Sequence, residues 1–471
     1  MFIPIEELRN RERHNLLLGY NFLEFLSLTE DLYESLVSYP PQKILLVEPE
    51  PVLFLAHFIA ACSQGHDIFL ANPNWGLSEW QQVFDLVAPD LVWGNCEYAQ
   101  HCYETWRSHH PHHPHHPSNP SQSVNHITSR ADSLIMIPTG GSSGKIRFAT
   151  HTWQSLKASV HGFQEYFQLE EVNSICVLPM YHVSGLMQFM RSFISGGQLL
   201  ILPFKELKLG KLTDFDPHKF FISLVPTQLQ AILNEPHLTT WLSKCFTVLL
   251  GGAPADSELL EKARFNNIRL APSYGMTETA SQIATIKPTD FLQGNNSSYQ
   301  VLPHINLTIC GEKGELLDLQ QIGVISIASP SLALGYYPES LFELGVFVTD
   351  DIGFLDEKAH LNIVGRSSDK IITGGENVFP GEIETALRAT GLVKDVFVIG
   401  TKDKYWGQII SAVYTPTDIN IIPEHLREAL IGKIANFKIP KLWLPLPEIP
   451  RNEQGKINRQ QIQELLIGLT H

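Results

Sequence analysis

The chain has 471 residues, and 34 Lys+Arg against 49 Asp+Glu give a formal net charge of −15. At about 100–200 residues per domain that length calls for two or more domains, and 44% hydrophobic against 18% charged residues excludes a globally disordered chain. The acidic balance excludes a general nucleic-acid or anionic-membrane surface, since such partners select basic fields, and leaves phosphorylated small molecules to local pockets.

The N-terminus, MFIPIEELRNRER, is charged early and is expected to carry no secretory signal. The apolar run at 52–62 contains His57 and is shorter than the roughly 20 residues needed to cross a bilayer. No membrane insertion is expected. Cys62, Cys96, Cys102, Cys176, Cys245 and Cys310 are scattered with no C-x-x-C pair, as reduced thiols of a cytoplasmic protein would be. Six of the 20 histidines fall in the stretch 109–117, HHPHHPHHP. Imidazoles can bind metal, but proline-stiffened polar sequence reads first as a solvated loop inserted between two βα units.

Further along, a short β-rich run, a Gly/Pro/Ser loop and an amphipathic helix recur. The runs are 133–137 before PTGGSSGK, 174–178 before PMYHVSG, and 221–225 before PTQLQAIL; two more are 246–250 before GGAPADSELLEKA and 268–271 before PSYGMTET. Strands alternating with helices predict parallel α/β sheets with ligands at the loops after the strands' carboxyl ends. Residues 322–327 and 346–364 read as a small β region. The segment 365–375, GRSSDKIITGG, has the composition of a hinge. The expected fold is α/β: a large N-terminal domain over 1–367, then a smaller mobile α+β domain over 368–471.

Several loops carry chemistry. Thr139-Gly140-Gly141-Ser142-Ser143-Gly144-Lys145, with Arg147 just beyond, can aim N–H groups, hydroxyls and cations at phosphate oxygens. It is not a Walker A loop, because Gly140 and Gly144 enclose three residues and Ile146 follows the lysine. Tyr274-Gly275-Met276-Thr277-Glu278-Thr279 offers an aromatic plane, a hydroxyl and a carboxylate, read as a strand-to-helix loop. Thr349-Asp350-Asp351, Gly365-Arg366 and Pro450-Arg451-Asn452-Glu453-Gln454-Gly455-Lys456 add carboxylates, a fixed cation and a lysine on a turn.

In order and wording these pieces resemble the adenylate-forming superfamily of acyl-CoA synthetases, luciferases and peptide-synthetase adenylation domains. The resemblance runs from about Ser133 to the C-terminus. Gly140, Ile146, Arg147 and Phe148 stand where the family's phosphate loop has Ser, Pro, Lys and Gly. The resemblance implies ATP, Mg²⁺ and CoA. Thr139, Gly140, Gly141, Ser142, Ser143 and Gly144 would cradle the β- and γ-phosphates, with Lys145 and Arg147 nearby. Gly251, Gly252, Ala253 and Pro254 would line the adenine, and Tyr274 would stack on it. Thr277 would meet the α-phosphate, Glu278 would hold Mg²⁺, and Asp351 and Arg366 would bind the ribose. Lys456 would bridge the acyl carboxylate and α-phosphate, His182 would lie beside that carboxylate, and Ser368 matches the hinge position.

Tyr181-His182-Val183-Ser184-Gly185 lacks the Asp that amino-acid-activating relatives carry, and no carrier-protein Gly-Gly-x-Ser appears, which favours free CoA as acceptor. The stretch from His182 to Arg191 is similar to 2-succinylbenzoate–CoA ligases of menaquinone and phylloquinone synthesis. That likeness implies Ser184 and Arg191 on the benzoate carboxylate while the succinyl carboxylate is activated. A synthetase for another aryl or medium-chain acid, and an inactive histidine-rich metal-binding protein on the same fold, are the alternatives. Homo-oligomerisation is left open.

Overall fold

The computed structural model describes residues 3–11, 15–109, 133–140, 145–210, 215–255, 257–311, 313–338, 340–367, 369–373, 376–403, 406–451 and 457–468. They fall into two compact units, Met1–Asn306 with Ile327–Phe347, and Leu307–Ser326 with Val348–His471.

Two seven-stranded sheets organise the first unit. In one, strands Lys43–Leu46, Asp67–Leu70 and Leu91–Trp93 run parallel, and β1 (Leu134–Gly140) joins beside Asp67–Leu70. β2 (Ile146–Thr152) then turns back antiparallel to β1. The second sheet sets Leu199–Ile201, Asn173–Cys176, Phe220–Leu224, Thr247–Leu250 and β3 (Leu270–Met276) side by side in parallel. β4 (Ser281–Thr285) closes against β3 antiparallel. Much later, β5 (Gly335–Tyr337) returns to the first sheet, antiparallel to β2.

One apolar core joins the sheets. It gathers Ile44, Leu46, Ile68 and Leu70 of the first sheet, Cys176 and Leu199 of the second, and the apolar faces of three helices. These are α1 (Pro51–Ser63), α2 (Trp153–Phe167) and α3 (Val183–Ser195). Ten consecutive or near-consecutive residues of α1 are buried, His57 among them, which is why the run at 52–62 is apolar all round. Each fully buried Leu, Ile or Phe adds about 1.5–3 kcal/mol relative to exposure. Among the described residues no helix is long and apolar enough to cross a membrane. All six cysteines are unpaired.

The recurring strand–loop–helix pattern holds after Asn173–Cys176, Phe220–Leu224 and Thr247–Leu250. It differs at two places. The Gly/Ser loop joins β1 to an antiparallel partner, so a hairpin precedes α2. Tyr274, Gly275 and Met276 continue β3 rather than leaving it, because their backbone pairs with β4 across a bulge between Tyr274 and Gly275.

In the second unit, β6 (Val346–Leu355) and β7 (Leu361–Arg366) pair antiparallel in a four-stranded sheet. A second sheet is built on the long hairpin Val393–Asp403 and Gly407–Pro416. Helix Pro380–Arg388 packs against β7. That packing gathers residues before 367 with those after it, so the compact division falls earlier in the chain than the expected boundary.

Candidate active site

The base of the Gly/Ser loop is fixed by the β1–β2 hairpin. Thr139 pairs with Arg147 and Gly140 with Ile146, while Lys145 is exposed. Gly141, Ser142, Ser143 and Gly144 lie outside the described residues. At the far end of β2, His151 is fully buried. Its Nε2 lies 2.8 Å from the Thr277 carbonyl and its Nδ1 3.0 Å from Ser155 Oγ. A carbonyl only accepts, so Nε2 carries the proton. Burial pushes the imidazole down to about 4 and keeps it neutral.

Thr277 to Thr279 form a single 3-10 turn between β3 and β4. Gly275 permits it, since a Cβ there would sit 2.1 Å from the Ser281 carbonyl oxygen. Glu278 is buried, with one oxygen 2.7 Å from Tyr336 Oη and its carbonyl accepting the Ala333 N–H. The Arg147 guanidinium lies over the Tyr336 ring at 4.3 Å. Burial first, and then the Glu278 charge, push the Tyr336 phenol well above its ordinary range. Thr277, Glu278 and Arg147 are therefore brought together.

α3 carries the other predicted group. His182 is its N-cap, with its ring 4.6 Å from that of Tyr181, and Ser184 is exposed on the first turn. Gly185 lets the helix start against the preceding backbone, where a Cβ would lie 2.1 Å from the Pro179 carbonyl oxygen. Two turns on, roughly 10 Å along the axis, Arg191 is 3% exposed. One terminal nitrogen donates to Ser281 Oγ at 3.0 Å and reaches Gln282 Oε1 at 3.5 Å. The plane lies 4.3 Å from the Phe163 ring. Among the described residues its Nε has no hydrogen-bond partner, and neither do the neighbouring Gln282 Nε2 and, one turn back on α3, Gln188 Oε1. No carboxylate among the described residues pairs with it. Burial lowers the guanidinium to about 9, which leaves it charged at neutral pH. Ser281 itself holds a φ of +95°, a conformation that costs a non-glycine residue on the order of 1–3 kcal/mol.

Gly251, Gly252, Ala253 and Pro254 follow strand Thr247–Leu250, with Gly252 at φ +84°. Tyr274 is half-buried in β3 opposite Ala284. In the second unit Asp351 and Arg366 face each other across β6 and β7, with Nε 3.1 Å from Oδ1. Lys456 and Ser368 lie outside the described residues, as does the histidine stretch beyond His109. No group of three or more His, Cys, Asp or Glu among the described residues can hold a metal ion. A lone buried Glu278 suits Mg²⁺ arriving with nucleotide phosphates, which keeps most of its ligands from phosphate and water.

His151, Tyr336, Ser281 and Gln282 belong to none of the sequence motifs. His151 sits 126 positions from Thr277 and Tyr336 58 positions from Glu278, and no local pattern signals contacts of that span. Ser281 and Gln282 lie just beyond the Thr277–Thr279 turn, and their nearness to that motif is the one signal the sequence carries for them.

The family described as AMP-binding enzyme matches residues 40–337, and the AMP-binding enzyme C-terminal domain matches 382–456. The chain belongs to the AMP-binding enzyme family. Among curated relatives it is 35% identical over 333 residues to the 2-succinylbenzoate–CoA ligase of Listeria monocytogenes, covering 69% of this chain and 68% of that protein. Two structures of the Bacillus subtilis o-succinylbenzoate coenzyme A synthetase share the fold. One, in complex with the acyl-adenylate intermediate, gives a TM-score of 0.80 at 22% identity and covers 97% of each chain. The other, in complex with ATP and magnesium ion, gives 0.78 at 22% identity and covers 97% of this chain and 99% of that one.

Proposed function

We propose that the chain joins 2-succinylbenzoate to CoA at the expense of ATP, through an acyl-adenylate, releasing AMP and pyrophosphate. The succinyl carboxylate attacks the α-phosphate, and a thiol then attacks the acyl carbonyl and expels AMP. The first step brings two anions together, so preorganised donors and cations lower its barrier. Thr139 through Gly144 with Lys145 and Arg147 hold the β- and γ-phosphates. Thr277 meets the α-phosphate, fixed from behind by His151. Gly251 to Pro254 and Tyr274 receive adenine, and Asp351 with Arg366 the ribose. Bound through Glu278, Mg²⁺ supplies neutralisation of phosphate charge. Lys456 bridges the two reacting groups, His182 flanks them, and rotation about Ser368 separates the half-reactions. CoA as the acceptor, a cytoplasmic setting and a place in menaquinone or phylloquinone synthesis belong to the same proposal.

The observation that carries the choice of acid is Arg191. Among the described residues its partners are neutral, and a buried guanidinium held that way is expensive. An acid with two carboxylates supplies the missing counter-charge with the one that does not react, and a guanidinium binds it with direction as well as charge. Ser184, on the first turn of the same helix, is assigned to the same carboxylate.

Arg191→Leu tests this. Truncating one partner of a buried charged pair costs on the order of 2–5 kcal/mol, roughly 30- to several-thousand-fold in kcat/KM for 2-succinylbenzoate. The KM for ATP should move little, and an analogue lacking the ring carboxylate should be used no worse by the variant than by the parent. Equal losses for both acids would make Arg191 structural. Chromatography of products from ATP, CoA and 2-succinylbenzoate checks the overall reaction.

A further inference from the structure

The geometry points to Tyr336 as a positioning residue for the cation-holding carboxylate: its phenol fixes Glu278, and Arg147 fixes the phenol. This rests on the proposed role of Glu278 toward Mg²⁺·ATP and adds two residues that set how that role is performed.

Glu278 is 7% exposed, on a one-turn 3-10 helix with no length of its own to hold it. A buried carboxylate left to rotate would present either oxygen to a cation, or neither. Here one oxygen accepts from Tyr336 Oη at 2.7 Å, while the other makes no hydrogen bond to a described residue. The two oxygens are thereby given different tasks. Carboxylates that ligate metals are commonly held by such an outer hydrogen bond, and removing it typically lowers metal affinity or activity about 10–100-fold.

Tyr336 in turn is fixed by two features of the first sheet. Its strand pairs with β2, placing Tyr336 opposite Ala149. The Arg147 guanidinium, two residues earlier on β2, covers the ring at 4.3 Å. A planar cation can lie flat on a ring, whereas a lysine ammonium is a point charge. Arg147 is also where the chain departs from the lysine of the family's phosphate loop. It joins the base of that loop to the cation-holding turn through one aromatic ring.

The test uses the full chain with ATP and Mn²⁺, counting free Mn²⁺ by electron paramagnetic resonance. Tyr336→Phe keeps the ring and its stacking and removes only the hydroxyl. It should raise the Mn²⁺ dissociation constant about 10-fold or more, leave metal-free ATP binding within about twofold, and recover most of kcat at saturating Mg²⁺. Arg147→Lys should weaken Mn²⁺ in the same direction, and the double variant should be no weaker than Tyr336→Phe, since the two act through one ring. Unchanged Mn²⁺ affinity in Tyr336→Phe while Glu278→Gln loses it would overturn the inference alone. Unchanged affinity in both would remove the metal role of Glu278 and the inference with it. A kcat that stays low at every Mg²⁺ concentration would make Tyr336 merely structural. The Mn²⁺ and ATP binding readouts need no acid, so failure with 2-succinylbenzoate is distinguishable.

Discussion

His151 shows how one imidazole can couple protonation to the placement of a motif. It is neutral because burial lowers it to about 4, and its single N–H holds the Thr277 carbonyl. Its ordinary value in an unfolded chain is 6.5. The unfolded state therefore binds the extra proton first as the pH falls. Stability from this residue is complete above about pH 6.5 and is lost as the pH drops toward about 4. Glu7, raised by burial to about 7, acts in the opposite sense, and His304, lowered to about 4, in the same sense. Both remain in a His151→Gln variant. The comparison of melting temperatures at pH 7.5 and pH 5 should show a smaller acid-induced drop in the variant than in the parent. An equal drop would mean that His151 does not titrate on unfolding.

α3 is the element to which the proposed function gives recognition of the acid, and both its ends are set by backbone contacts. At its C-terminus Gly196 takes φ +87°, and Arg11 donates to the Ser192 and Phe193 carbonyls at 2.7 and 2.6 Å. Those carbonyls have no partner within the helix and would otherwise be buried unpaired. At its start, Gly185→Ala would drive a methyl into the Pro179 carbonyl oxygen. Overpacking against backbone typically costs 1–3 kcal/mol. We expect a lower melting temperature and a KM for the acid that rises more than that for ATP, because Ser184 and Arg191 shift with the helix. Equal changes in both KM values would detach α3 from acid binding. This element was legible in part. The strand, loop and helix around 174–195 follow from alternation of β-rich and amphipathic sequence, but the same logic sends Tyr274 into a loop. Its strand continues because β4 pairs with it, and antiparallel partners separated by a four-residue turn look locally like a strand followed by a helix start.

At the scale of the whole molecule, fold class and family were legible because many weak loops occur in one order. No single loop carried that conclusion; a Gly/Ser stretch alone is as good a linker as a phosphate cradle. The large and small units were foreseen, but the compact division begins with Leu307–Ser326 and resumes at Val348. A chain that leaves a unit and re-enters it gives no composition step at the crossing. The candidate site is legible in the sequence only as single residues. Glu278 and Arg191 could be named from the motifs they sit in, while what holds each of them comes from strands and helices brought together over distances in sequence. Buried polar contacts of this kind are fixed by tertiary packing, which periodicity does not encode.

Among the described residues Arg191 has no counter-charge, and on the proposed function this has a thermodynamic corollary for the protein without nucleotide. Where a buried cation lacks a counter-charge, an anion that binds beside it stabilises the fold by mass action. A ligand present at about 100 times its dissociation constant adds roughly 2.7 kcal/mol to the native state. In a thermal-shift titration, 2-succinylbenzoate alone should therefore raise the melting temperature before any ATP is added. The analogue without the ring carboxylate should raise it much less, and Arg191→Leu should abolish the difference between the two. If both acids stabilise the parent equally, the guanidinium is satisfied by something other than substrate. If the dianion alone stabilises it, the enzyme recognises its acid by letting that acid finish its own interior.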